Sequence, residues 1–312
     1  MESNLQRALE AKRFAITAEC GPPKSADRKV IEAKAQLLKD WVDSVNVTDN
    51  QTAVTRMSSL AACTILKSLN LDPVFQLTCR DRNRIALQSD ILGAHALGIR
   101  NILCLTGDHH SAGNHPQAKG VFDLDSVHLI ETVRKMRDEG LFLSGDKLEG
   151  ERPMVFIGAV ENPFALPYEF RALRLKKKIE AGAQFIQTQI VYNIARFREF
   201  MARAGDLGLL DRVYILAGVS PIKTPGAAKY MRDNVPGMDV PNEIVTRMES
   251  AGKGLEDKKA RAQAWRQEGI RICVEIVQQL REIKGVAGVH IMAIEWEEAV
   301  PEIVTQAGLK AP

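Results

Sequence analysis

Short runs of apolar and β-branched residues recur along the chain, at Phe14–Cys20, Ser44–Thr48, Pro73–Cys79, Asn101–Leu105, Met154–Val160, Gln184–Ile190, Val213–Val219 and Val289–Ile294. Each has the length of a strand, so eight strands are expected. Most of the intervening segments carry apolar residues at helical spacing. Examples are Val30, Ala33, Leu37 and Leu38; Ile85, Leu87, Ile91, Leu92 and Ala96; Val127, Leu129, Ile130 and Val133; and Ile272, Cys273, Ile276, Val277 and Leu280. Strands that alternate with such helices pair in parallel through crossovers. Eight of them, with no GxGxxG after the first, predict an α/β fold of the closed (β/α)8 TIM-barrel type rather than a doubly wound sheet.

Three stretches depart from this rhythm. His109–Phe122, rich in Gly, His and Pro, is expected to be a long loop after the fourth strand, and Asp138–Arg152 a second loop before the fifth. Ala227–Lys284 is expected to be a long helical region broken by a polar turn near Gly252–Lys259. No linker-like composition divides residues 1–312, so one domain is expected.

Composition narrows the function classes. The net charge is only +3, and the densest basic run, Lys176-Lys177-Lys178, is interleaved with Leu173, Leu175 and Ile179, which argues against a nucleic-acid footprint. No stretch approaches the roughly 20 apolar residues of a membrane span. Met1–Lys12 has no apolar core of a signal peptide. Cys20, Cys63, Cys79, Cys104 and Cys273 are odd in number and widely spaced, which fits neither a disulfide framework nor a CxxC site. A reducing cytoplasm is the expected compartment.

In a barrel of this kind the chemistry sits where the strands end and the following loops begin. The strand ends supply Glu19, Thr48-Asp49-Asn50, Thr78 with Arg80-Asp81, Thr106-Gly107-Asp108, Glu161-Asn162, Gln187 with Gln189, Ser220 and Glu295. Glu19, between an apolar strand and a Gly-Pro-Pro turn, is placed to be desolvated, which raises a carboxyl pKa toward that of a general acid; a capping or salt-bridged Glu is the alternative. Asp108 can accept from the ring nitrogens of a planar ligand that Gly107 lets approach, or simply close a turn. Gln187 and Gln189 share one strand face, opposite Ile186, Thr188 and Ile190, where an amide would suit the donor–acceptor edge of a pterin or join a packed polar layer. His109, His110 and His115 lack the spacing of a metal site, and no metal is expected. The lysine run can reach phosphates at one end or form a solvated helix face.

Taken in order, these strand ends resemble the methylenetetrahydrofolate reductase family across nearly the whole chain. Ile16-Thr17-Ala18-Glu19-Cys20-Gly21-Pro22-Pro23 is similar to its opening strand, and Val45-Asn46-Val47-Thr48 to its second. Gln76-Leu77-Thr78-Cys79-Arg80-Asp81 resembles its "HLTC" strand, and Leu105-Thr106-Gly107-Asp108 its "LRGD" strand. Lys176 to Ala183, followed by Ile186-Gln187-Thr188-Gln189, resembles its "KRKVDAGA…ITQ" block.

The resemblance implies a barrel with a flavin in its mouth that reduces methylenetetrahydrofolate to methyltetrahydrofolate by hydride transfer from flavin N5. Glu19 would be the general acid that assists ring opening. Asp108 would contact the pterin and tune the flavin, and Gln189, with Gln187, would bind the folate. Thr48, Gln76, Thr106, Gly107, Asp108, Asp125, Asn162 and Lys178 would meet the flavin. Departures fall where its ribityl, phosphate or adenine parts are expected: Gln76 for a His, Thr106 for an Arg, Asn162 for the His of a His-Pro pair, and Gly158 for an aromatic. FAD and FMN both remain open.

The electron donor would be NAD(P)H or, as in the similar reductases of anaerobic one-carbon metabolism, an iron–sulfur partner subunit, since this chain lacks cluster-ligand spacing. The assembly implied is a homo- or hetero-oligomer. The competing readings are a flavin-bearing electron-transfer scaffold, a pterin-dependent methyltransferase barrel, and an aldolase-type barrel with Lys223 as its amine.

Overall fold

Period-2 alternation decides which side chains enter the barrel and which face its helices. A computed structural model of the chain describes residues 2–310. Its strands are β1 (Ala15–Cys20), β2 (Ser44–Val47), β3 (Pro73–Thr78), β4 (Asn101–Leu105), β5 (Phe156–Glu161), β6 (Phe185–Ile190), β7 (Tyr214–Val219) and β8 (Val286–Ile291). All eight are parallel and close in chain order, with β8 pairing back onto β1. The fold is the expected (β/α)8 barrel.

The outward residues, such as Ile16, Ala18 and Cys20 on β1 or Val45 and Val47 on β2, join one large core beneath the helices. The inward residues form a second, smaller core. Ala15, Val74, Leu103, Phe156, Phe185 and Leu216 pack there with Leu5, Ala8 and Leu9 of the helix α1 (Asn4–Glu10). This helix plugs the amino-terminal end of the barrel. It was not foreseen in the polar segment 1–12, where three apolar residues carry the whole buried face; Met1 lies outside the described residues. Above this apolar layer the inward positions turn polar: Thr17, Asn46, Gln187 and His290 are all buried.

The outer helices are α2 (Arg28–Leu38), α3 (Ser59–Ser68), α4 (Arg84–Ala96), α5 (Ser126–Arg134), α6 (Arg171–Ala181), α7 (Ile194–Asp206), α8 (Pro225–Asn234), α9 (Asn242–Ala251), α10 (Lys258–Arg281) and α11 (Ala299–Gln306). Seven of them start at Asp27, Ser58, Asn83, Asp125, Asn193, Thr224 and Asp257, whose side chains accept a backbone N–H of the first turn. Such caps contribute about 1 kcal/mol each. The long helical region resolves into α8, α9 and α10, and the polar turn near 252–259 separates the last two. None of the described helices is long and apolar enough to cross a membrane.

Strand boundaries shift by one or two residues in most places, and by three at the end of the chain. β8 begins at Val286, and Met292–Ile294 already belongs to the following loop. Gly288 disguised the start of this strand, because glycine ordinarily breaks one. Here a Cβ at Gly288 would lie 2.3 Å from the Ala15 carbonyl and 2.8 Å from Leu216, so only glycine lets the strands close. Gly158 has the same origin. Its missing side chain is replaced by the Phe185 ring, which a Cβ would meet at 2.2 Å and which stacks on Phe156 at 5.0 Å between centroids.

Gly158→Ala is therefore expected to overpack this layer and lower stability by about 1–3 kcal/mol. Denaturant unfolding checks this, and an unchanged midpoint would mean that the ring can move aside.

Candidate active site

Two adjoining depressions, of about 350 and 370 Å3, open at the carboxyl ends of the strands. They share Glu19, Gln76, Val160, Arg174 and Lys178, so they form one continuous mouth. The first is completed by Asn162, Gln187, Thr188, Gln189, His290 and Met292. The second is completed by Thr48, Thr78, Arg80, Thr106, Gly107 and Asp108. Each volume falls within the roughly 300–1,000 Å3 of small-molecule sites.

Glu19, the penultimate residue of β1, has only 7% of its surface exposed. Burial pushes its carboxyl up to about 7. The Gln51 amide opposes that shift by donating Nε2–H to Oε1 at 3.4 Å, and Glu297 reinforces it by repulsion. Lys34 and Arg56 lower it more weakly, because both are engaged elsewhere. Lys34 Nζ lies 2.5 Å from Glu297 Oε1, and Arg56 Nη1 donates to the Pro22 carbonyl at 3.0 Å. Glu19 is thus desolvated and forms no ion pair among the described residues.

Asp108 is exposed and lines the same depression as Glu19. Its backbone carbonyl accepts from Arg80 Nη1 at 3.2 Å. Gly107 has φ +90°, and a Cβ there would meet Arg80 Cβ at 3.0 Å and Thr78 Cβ at 3.2 Å. The turn thus packs against Arg80 and Thr78 only as glycine. Thr106 Oγ1 accepts the Ser126 N–H at 3.1 Å and so docks α5 against the mouth. Asp125 caps that helix and pairs with His128 at 3.1 Å on the surface; it does not line either depression.

On β6 the simple alternation fails. The pairing with β7 shifts register between Gln187 and Ile190, so Thr188 lines the mouth together with Gln187 and Gln189. A bulge re-aims side chains in this way. Thr188 Oγ1 accepts the Gly218 N–H at 3.0 Å, and Gln189 Oε1 accepts the Ile190 N–H at 2.9 Å, which leaves the Gln189 amide nitrogen free for a ligand. Gln187 Nε2 and Thr48 Oγ1 are buried without a partner. Unsatisfied buried polar atoms are costly, and at a cavity wall they mark where a ligand's polar atoms are received.

The lysine run divides. Lys176 faces solvent toward Glu180, whereas Lys178 is buried and bonds Glu161 Oε2 at 2.8 Å. Burial lowers the Lys178 pKa and Glu161 opposes that shift. Arg171, Arg174 and Lys178 lie at i, i+3 and i+7 on α6, one stripe facing the mouth. Arg174 has no hydrogen bond or ion pair among the described residues, and Arg171 Nε is buried without a partner. Sequence reasoning missed Arg171, Arg174, Gln51 and His290. The stripe was legible from its spacing. His290, whose Nδ1 lies 3.0 Å from Thr17 Oγ1 and whose pKa burial drives down to about 3, was missed because the expected strand ended at Ile294 and put Glu295 at the strand end, whereas β8 ends at Ile291.

The remaining candidates stand apart. Asn162 Oδ1 accepts the Phe164 N–H at 3.0 Å while the residue lines the mouth. His109 stacks on Phe122, with 6.4 Å between ring centroids. No group of three His, Cys, Asp or Glu among the described residues is arranged to hold a metal. Lys223 spends its ammonium on the carbonyls of Ile294 and Glu295, both at 3.0 Å, which removes it as an aldolase-type amine.

Fold and mouth together define a (β/α)8 barrel with a polar, partly cationic ligand site at its carboxyl-terminal rim. A family model for methylenetetrahydrofolate reductase matches residues 4–308, and the chain belongs to that family. It is 23% identical to a probable methylenetetrahydrofolate reductase (NADPH) of Caenorhabditis elegans across 99% of its own length, but spans only 44% of that protein. It is also 23% identical to the 5,10-methylenetetrahydrofolate reductase of Pectobacterium carotovorum, with 96% of this chain and 91% of that one covered. An uncharacterised Clostridium thermocellum protein that binds two copies of 5-methyl-5,6,7,8-tetrahydrofolic acid shares the fold, with a TM-score of 0.64 at 15% identity over 98% of both chains.

The carboxyl of Glu19 also couples stability to pH. Its native pKa of about 7 lies above the ordinary 4.5, so the folded state holds the proton more tightly. That stabilisation is complete below about 4.5 and is lost as pH rises through 7. About 2.5 units correspond to roughly 3 kcal/mol at most. Glu19→Gln is expected to gain stability over the parent protein above pH 7 and little below pH 4.5. Parallel unfolding curves across this range would show the carboxyl to be solvated.

Proposed function

We propose that the whole chain acts as one flavin-binding barrel that reduces 5,10-methylenetetrahydrofolate to 5-methyltetrahydrofolate, with Glu19 as the general acid. The observation that carries this reading is Glu19 itself: a buried carboxyl with a pKa of about 7 in the same depression as Asp108. Membership of the family supports the reaction class. The tetrahydrofolate bound by the C. thermocellum protein of the same fold is in keeping with it.

The residues present fit a flavin. The unpartnered Thr48 Oγ1 and Gln187 Nε2, the glycine-only turn at Gly107 and the cationic face of α6 suit a polar planar ring system with an anionic tail. Thr48, Gln76, Thr106, Gly107 and Asp108 would surround the ring and ribityl parts. Arg174 and Lys178, near Asn162, would meet phosphate, with Asp125 at the outer edge. When bound and reduced, the flavin supplies the hydride.

The protein's own groups carry the proton and the orientation. Opening the five-membered ring of methylenetetrahydrofolate requires a proton on the amine that leaves the methylene carbon, and leaves a cationic iminium. With its carboxyl pushed up to about 7, Glu19 can hold a proton near neutral pH, the condition under which a carboxyl donates efficiently. Asp108 would place negative charge beside the cation at the rim, and the free amide of Gln189, with Gln187, would hold the pterin edge. One hydride and one proton then convert substrate to product. Electrons enter from NAD(P)H or an iron–sulfur partner subunit.

Extraction of the cofactor, identified by mass and absorbance, decides between FAD and FMN, and a protein that retains no flavin would refute the proposal. Glu19→Gln is expected to keep flavin bound and reducible while losing about 10²–10⁴ in folate reduction. The parental rate is expected to fall as pH rises above about 7, where the acid is deprotonated. Retained activity in Glu19→Gln would assign the proton to another group. Gln189→Ala is expected to raise the folate KM about tenfold, the effect of one lost hydrogen bond, with flavin affinity nearly unchanged; equal losses would mark it as structural.

A further inference from the structure

The loop after β2 carries a backbone that its sequence would not choose. Asn50, Thr52 and Ala53 all lie in the left-handed region, at φ 46°, 54° and 55°. For a β-branched threonine this is rare, and strained non-glycine residues gather where a functional group has to be held in place. Between them sits Gln51, whose side chain is turned into the mouth and onto Glu19.

The turn is clamped from several sides. Arg80 Nη2 donates to the Asn50 carbonyl at 3.2 Å, and Asn50 Oδ1 accepts the Arg56 N–H at 3.0 Å. Gly113 of the histidine-containing loop lies directly on the Ala53 carbonyl, so closely that a Cβ would stand 1.9 Å from that oxygen. The guanidinium that holds Asn50 also holds the Asp108 carbonyl. One buried arginine therefore ties the Gln51 turn to the backbone of the Asp108 turn.

We infer that Gln51 is a positioning residue for Glu19: its amide donates to Oε1 and so confines the transferable proton to Oε2. Only one hydrogen bond is needed. An amide N–H cannot donate to an oxygen that carries the proton toward it, so the proton rides on the other oxygen. The separation of 3.4 Å is long, as polar pairs in an open site commonly are before a ligand excludes water. The other groups facing Glu19 do not substitute for Gln51. From α2 Lys34 is paired with Glu297 of the loop before α11, and Arg56 is bonded to Pro22. The inference rests on the reading of Glu19 as the acid.

The test reads Glu19 directly. In the full-length protein with 13C-labelled glutamate side chains, the carboxyl resonance that titrates near 7 is identified by its loss in Glu19→Gln. Gln51→Leu, with native circular dichroism, is expected to move this midpoint up by about one unit, the tenfold effect of a lost hydrogen bond to a charged group. The descending limb of folate reduction is expected to move with it, at a lower maximal rate. Gln51→Glu, which places a like charge beside Glu19, is expected to raise the midpoint further and to split the titration into two steps. A Glu19 midpoint unmoved in both variants overturns the positioning role. Full folate reduction by Glu19→Gln would instead remove the acid assignment, whatever the titration of the Gln51 variants.

Discussion

The mouth is organised around a carboxyl group withdrawn from water without a cation to hold it. Three buried acids at the mouth are held differently. Asp49 accepts from the Thr78 N–H at 3.0 Å and hydroxyl at 2.8 Å and from Arg82 at 2.6 Å, so its carboxyl is well partnered. Glu161 has Lys178 at 2.8 Å. Glu19 has one long amide contact, and the two nearest cations are committed to other partners. Desolvation therefore outweighs attraction at Glu19 and pushes its carboxyl up to about 7.

Barrel closure makes this possible. The interior is filled from below by the α1 plug and by Phe156 and Phe185, so a ligand can enter only from above. Each strand delivers its last inward side chain to that upper layer, and the loops need only to cap it. The glycines at 158, 218 and 288 are where neighbouring side chains and backbone come too close for a Cβ. Gly158 thus has a packing reason that does not depend on any ligand.

Charge is distributed across the mouth in the same economical way. Acidic groups stand on the β1 and β4 side, at Glu19 and Asp108, while Arg171, Arg174 and Lys178 stand on the β5 and β6 side. A ligand with a reacting ring at one end and an anionic tail at the other is matched by this polarity. Glu161 buffers Lys178 but leaves Arg174 uncompensated, so the stripe presents net positive charge to the cavity.

The alternation of strands and helices, the barrel class, and the placement of Glu19, Asp108 and the β6 amides at the barrel mouth were all legible in the linear chain, because period-2 and period-3.6 patterns and strand-end positions are local properties. After these motifs, the resemblance to a reductase family was legible as well. What the tertiary structure decided were the matters set by closure and by contacts between distant segments. These were the plug made by Leu5, Ala8 and Leu9, the early start of β8 at a glycine, the bulge that turns Thr188 inward, and the burial of Lys178 beside an exposed Lys176. Gln51 meeting Glu19 across 32 positions belongs with them. A local pattern states which face a residue shares with its neighbours; only packing determines how dry that face becomes and which remote group completes it.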